Sequence, residues 1–185
     1  MTDTQGKSLL QAFDYVWERL ITRVAGLDDA EYFWEPVDGC WSLRDDGSGK
    51  LVLDGGGGGG PPPDPVPVTT IAWRIGHICD LVLVGFARRV SGAADSEEAP
   101  AQPGEAAALA DYMAQCYALW HDSLASVPDE QWVVALGPAF GPYAESNWFD
   151  LVLHVLDELV HHAAEVALMR DLYANRASLG ERAAG

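Results

Sequence analysis

Apolar residues recur at three- and four-residue steps in four long stretches of this chain, the pattern of amphipathic helices. Over residues 5–26 the series is Leu9, Leu10, Phe13, Val16, Trp17, Leu20, Ile21 and Val24, and Gly26 stops it. A second helix, about 70–91, presents Ile71, Ile75, Ile78, Leu81, Val82 and Phe86, with Thr69 or Thr70 as its cap. A third, about 105–126, turns Leu109, Met113, Cys116, Leu119, Trp120 and Leu124 inward and ends before Pro128. The fourth, 148–173, follows a Ser146 or Asn147 cap and carries Val152, Val155, Leu156, Leu159, Val160, Ala163 and Val166 on its apolar side. Four such helices predict an all-α four-helix bundle, a fold whose facing helices can share a metal site.

Between the first two helices the periodicity breaks. Residues 31–54 read as irregular or short β. There Leu51-Val52-Leu53 can pair with Cys40-Trp41-Ser42-Leu43 across the Asp-Asp-Gly-Ser-Gly turn. Gly55–Gly60 and Pro61–Pro63 then predict a flexible loop, stiffened at its proline end. No Lys-Ser/Thr follows and no strand–loop–helix frame surrounds it, so a phosphate cradle is not expected. Residues 45–67 read as an insertion within one domain spanning 1–175, followed by a tail at 176–185. A polar loop occupies 92–103, and Gly137-Pro138 with Gly141-Pro142 marks a turn-rich connection before the last helix.

Composition narrows the function classes. The 185 residues are 49% hydrophobic and include seven tryptophans, enough for one substantial core. A formal charge of −17 repels phosphate backbones and anionic bilayers, which argues against nucleic acid and membrane partners. No stretch approaches about 20 unbroken apolar residues, and the polar N-terminus lacks the order of a signal peptide, so a cytoplasmic location is expected. Cys40, Cys79 and Cys116 are widely spaced and read as buried reduced thiols.

The chemistry concentrates in the fourth helix, which carries His154, Glu158, His161, His162 and Glu165. Residues i and i+4 lie on one helix face about 6 Å apart. His154–Glu158 and Glu158–His162 can therefore each offer two donors to a divalent ion, and imidazole with carboxylate suits Zn²⁺, Ni²⁺ or Fe²⁺. The same spacing also describes a solvated His/Glu face, and this helix alone leaves both readings open. A third ligand would have to come from elsewhere. His121 lies near the end of the third helix. His77 lies mid-helix beside Gly76, whose cost of about 1 kcal/mol there points to a close approach. His-Glu-x-x-His is absent and Glu-x-x-His occurs once, which excludes the zincin and di-iron patterns and favours one mononuclear site.

Several segments carry a family resemblance. Thr70-Ile71-Ala72-Trp73-Arg74-Ile75-Gly76-His77-Ile78 resembles the second-helix motif of the DinB/YfiT-like superfamily. That superfamily includes the metal-binding domain of mycothiol-dependent maleylpyruvate isomerase. Residues His154 to Glu165 resemble its last-helix motif, in which one ligand precedes another by four residues. Trp34-Glu35-Pro36 and Trp41-Ser42-Leu43-Arg44 resemble its tryptophan-proline and tryptophan-x-x-arginine region. The resemblance covers most of the chain outside the Gly/Pro insertion and the tail. It implies a divalent metal on His77, Glu158 and His162, and assigns no ligand role to His154 or His161. Many members have a third histidine where this chain has Glu158, and the isomerase-like branch has glutamate.

Two imidazoles and one carboxylate leave coordination positions open. Glu165 and Asp80, each three residues after a ligand, are candidates to fix a ring tautomer. The resemblance implies a metal site (Zn²⁺ first, Ni²⁺ or Fe²⁺ as alternatives) that uses mycothiol or a similar thiol. The expected activity is transfer to, or isomerisation of, a small electrophilic molecule. Arg44 and Arg74 are candidates to hold an anionic group, with Trp41 and Trp73 as apolar walls. A non-catalytic metal- or ligand-binding stress-response module, and a homodimer without any site, are the other readings.

Overall fold

The computed structural model describes residues 4–58, 60–61, 63–92 and 99–183. Helix α1 (Thr4–Val24) buries Leu9, Phe13, Trp17, Leu20 and Val24 against α6 (Trp148–Ala174) and α5 (Leu109–Ala125). The remaining bundle member is a continuous helical rod. It comprises α3 (Ile71–Gly76), a π-helical stretch at His77–Val84, and α4 (Gly85–Ser91). Thr70 caps the rod, its hydroxyl accepting the Trp73 N–H at 3.2 Å. Asn147 and Asp150 form a reciprocal capping box on α6, at 2.9 and 3.1 Å. The architecture is the expected all-α bundle with one small sheet. Among the described residues no helix is long and apolar enough to cross a membrane. All three cysteines are free and buried.

Four details differ from the sequence pattern. A 3₁₀ turn at Ala106–Ala108 takes the first residues expected of the third helix. Leu119 and Val160 are 44% and 45% exposed, because their helices are covered on one side only and these positions lie past the seam. Within the rod, Gly85 N–H reaches back to the carbonyl of Asp80, an i→i−5 bond. The wider turn shifts the apolar face, so Leu81 and Phe86 are half-buried while Cys79, Leu83 and Val84 are buried. Finally, the hairpin register moves. Strand β1 (Leu43–Asp45) pairs antiparallel with β2 (Leu51–Leu53), Leu43 opposite Leu53. Trp41 bonds instead to the chain ahead of the rod, donating to Val68 O and accepting from Thr70 N, both at 2.9 Å.

The segment expected as a tail is helical over Arg176–Ala183, here α7. Of the polar loop at 92–103, residues 93–98 lie outside the described residues. Its end folds back onto the rod, where Gln102 donates to Ala72 O at 2.7 Å and to the Tyr32 hydroxyl at 2.8 Å. A Cβ on Gly76 would collide with Gln102 Oε1 and the Leu53 side chain. The mid-helix glycine thus does mark a close approach, by the chain itself.

A polar tie closes one end of the bundle. Arg170 of α6 grips Glu31 of α2 (Asp29–Tyr32) through Nε–Oε1 at 2.8 Å and Nη2–Oε2 at 2.9 Å. Its third nitrogen donates to the carbonyls of Ala25 and Arg23, closing the C-terminal end of α1.

Candidate metal centre

His77, on the π-helical stretch, and His162, on α6, meet with ring centroids 4.5 Å apart and planes at 85°. Both direct Nε2 at the same carboxylate oxygen of Glu158, His162 at 3.1 Å and His77 at 3.4 Å. One donor atom from each of the three residues falls within 4.8 Å of the others. The two imidazoles are nearly buried, at 12% and 11% side-chain exposure, and Glu158 is more open at 29%.

The other ring nitrogens fix the tautomers. His77 Nδ1 lies 2.6 Å from the carbonyl of Gly57, which can only accept, so Nδ1 carries the proton. His162 Nδ1 lies 2.6 Å from Glu165 Oε2 and 3.3 Å from Arg74 Nη1. The carboxylate contact is far shorter and also needs a proton on Nδ1; Arg74 is spent on Glu165, Nε to Oε2 at 2.8 Å. With both Nδ1 atoms protonated, each neutral ring presents a bare lone pair at Nε2. Three acceptors then converge on one point, an arrangement that calls for a cation between them.

The electrostatics agree. Burial pushes the His77 pKa down, and the neighbouring His162 adds to this, which favours the neutral ligating form. Burial pushes Glu158 up, but a hydrogen bond from His77 and the positive charge of the nearby histidines, whenever those rings are protonated, outweigh it and hold its carboxyl below the usual range. Glu165 behaves alike: burial is outweighed by the His162 hydrogen bond and the Arg74 guanidinium.

The cluster opens into a cavity of about 260 Å³. Trp73 stacks on His77 with planes 6° apart, Trp41 leans on Trp73 at 5.7 Å, and Arg74 lies over the Trp73 ring. Trp41, Trp73 and Arg74 line the cavity beside the three donors. A larger cavity of about 670 Å³ on another face contains Asp80 and no histidine, so its size carries no metal chemistry.

The remaining candidates lie elsewhere. Arg44 is taken by Glu35 Oε1 at 2.7 Å, Asp54 Oδ2 at 2.8 Å and Cys40 O at 3.0 Å, and is not part of the cavity wall. It pins the hairpin and does not reach a ligand there. His154 packs edge-on against Phe86 and is not one of the three converging donors. His161 is 62% exposed and contacts Glu165 Oε1 at 3.2 Å. That places it with His162 and Glu165 in a second cluster, next to the Arg74 charge. His121 sits beside Asp14 and Asp122. Asp80 does not orient His77; it accepts from the Tyr112 hydroxyl at 2.6 Å. The true partner, Gly57, has no sequence signal, because a glycine run reads as a linker. Its φ of 74° and its contact with Leu81 admit no side chain.

Asp80 offers a test of this reassignment. Burial pushes its carboxyl above the ordinary range, against the Tyr112 hydrogen bond that pulls it back. A raised pKa means that the folded state binds this proton more tightly than the unfolded chain. Ionised Asp80 therefore costs stability at neutral pH. Asp80→Asn is expected to raise the urea midpoint at pH 7, with the gain shrinking as acidification protonates the wild-type carboxyl. An unchanged midpoint at pH 7 contradicts it.

Fold and site together define a helical bundle carrying a His/Glu donor set of the kind divalent cations use. Residues 12–166 match the DinB superfamily, and the chain belongs to that superfamily, whose members generally bind a divalent metal. No curated protein and no solved structure matches the chain.

Proposed function

We propose that His77 Nε2, Glu158 and His162 Nε2 hold one divalent cation, Zn²⁺ first with Ni²⁺ or Fe²⁺ as alternatives. On this reading the chain is a metal- and thiol-dependent transferase or isomerase for a small electrophile, akin to the mycothiol-dependent branch. The observation that carries the reading is the aim of two imidazole Nε2 atoms at one carboxylate oxygen. A bound divalent ion would supply Lewis acidity and lower the pKa of a thiol entering the cavity. The chain's residues do the rest. Gly57 and Glu165 hold the ring tautomers, Arg74 keeps Glu165 ionised, and Trp41 and Trp73 form the apolar wall. The cavity beside the donors leaves them reachable by an exogenous ligand, which favours turnover over a closed binding module.

The test is an assay of tag-free protein with mycothiol and a panel of electrophiles that includes maleylpyruvate. Consumption should require both thiol and metal, stop on chelation and return with Zn²⁺. Full activity in metal-stripped protein overturns the reading. One bound equivalent of metal with no turnover across the panel selects the non-catalytic binding module.

A further inference from the structure

One turn before Glu158 on α6, His154 borders a separate cavity of about 320 Å³ that shares no lining residue with the metal cavity. Its walls come from three elements. Phe86 and Arg89 descend from α4, Leu151 and His154 from the start of α6, and Phe140 and Tyr143 from the turn at Pro138–Tyr143. That turn is tied at its base, Leu136 N to Ser146 O at 2.8 Å and Gly137 N to Ala144 O at 3.0 Å. A second tie, Trp148 N to Val134 O at 3.2 Å, anchors it to the beginning of α6.

The wall carries one guanidinium and one carboxylate. In a chain of net charge −17, the Arg89 guanidinium lies over two aromatic rings, 5.3 Å from the Phe86 centroid and 6.0 Å from that of Phe140. Among the described residues it makes no ion pair. The one carboxylate on the wall, Asp150, is engaged in the capping box, accepting the Asn147 N–H. A guanidinium held over ring faces without an ion-pair partner has N–H donors for a carboxylate, and the rings beside it suit a flat apolar body. The volume matches the lower end of small-molecule sites.

We propose that this cavity binds a small aromatic carboxylate, its acid group on Arg89 beside His154 and its ring among Phe86, Phe140 and Tyr143. The site is independent of the metal reading.

The probes are 2-naphthoate and its neutral analogue 2-naphthalenemethanol, titrated into the full chain by calorimetry or NMR. The acid should bind saturably and more tightly than the alcohol. Arg89→Met should weaken the acid about 10- to 100-fold, the worth of hydrogen bonds to a charged group, and leave the alcohol unchanged. Phe140→Ala should weaken both probes, and His77→Ala neither. Circular dichroism checks each fold, and Arg89→Lys, which keeps the charge but not the planar fork, serves if Arg89→Met fails to fold, with a smaller loss expected. The proposal is overturned if naphthoate shows no saturable binding or binds Arg89→Met as tightly as wild type. It is likewise overturned if naphthoate loses affinity in His77→Ala, or if 2-naphthylmethylammonium binds better than the acid.

Discussion

Alanine at His162 is expected to cost the protein its divalent cation while leaving the bundle folded. The ring supplies one of three convergent donors, and its loss leaves a single imidazole and a carboxylate facing each other across a water-accessible gap. Outer partners of a metal ligand are worth roughly 10- to 100-fold in affinity, so removing the ligand itself should exceed about 100-fold. Glu165→Gln is the graded control. It keeps an acceptor for His162 Nδ1 but removes the negative charge that makes the ring a stronger donor, for a loss of about 10-fold. His154→Ala and His161→Ala should retain full occupancy, since neither belongs to the triad. Elemental analysis of tag-free protein gives stoichiometry, and competition with a chromophoric chelator gives affinity. Wild-type affinity in His162→Ala would refute the assignment.

The largest loss of stability is expected from Arg170→Ala. Arg170 is 20% exposed and its partner carboxylate 9%. Truncation strands Glu31 as an uncompensated charge and frees two carbonyls at the end of α1. Breaking a buried pair from one side costs about 3–5 kcal/mol, and in a domain of this size that corresponds to a melting temperature lower by roughly 6–20 °C. Glu31→Gln with Arg170 intact should cost less, because the amide still accepts from the guanidinium. Differential scanning calorimetry on metal-free samples separates this from any effect of cation loading. A drop under about 2 °C would show the pair to be peripheral.

Period-3.6 patterning and caps made the bundle readable: Thr70 and Asn147 cap where side-chain chemistry places them. The triad was readable only through resemblance. Helical spacing offers His154–Glu158 as readily as Glu158–His162, and no local rule tells which face meets the rod. The choice comes from packing, where His162 is buried and His154 exposed. Arg44 and Asp80 misled for a related reason. Sequence proximity to a site motif says nothing of which neighbour saturates a charge, and here Glu35, Asp54 and Tyr112 do so. The hairpin slid because short strands with little patterning do not fix their own register. The π-helical turn, which rotates His77 and Leu81 off the ideal helical phase, leaves no trace in residue type.

The polyglycine turn over His77 links chain order to cation loading. Glycine forfeits more backbone freedom than any other residue when it is fixed, so holding Gly55–Gly58 in place is entropically dear. The bond from the Gly57 carbonyl to His77 is one of the returns on that ordering, and it is strongest when the ring is polarised by a positive ion on its far nitrogen. Protection of those glycine amides against deuterium should therefore track cation concentration, making the least informative stretch of the sequence a reporter of occupancy.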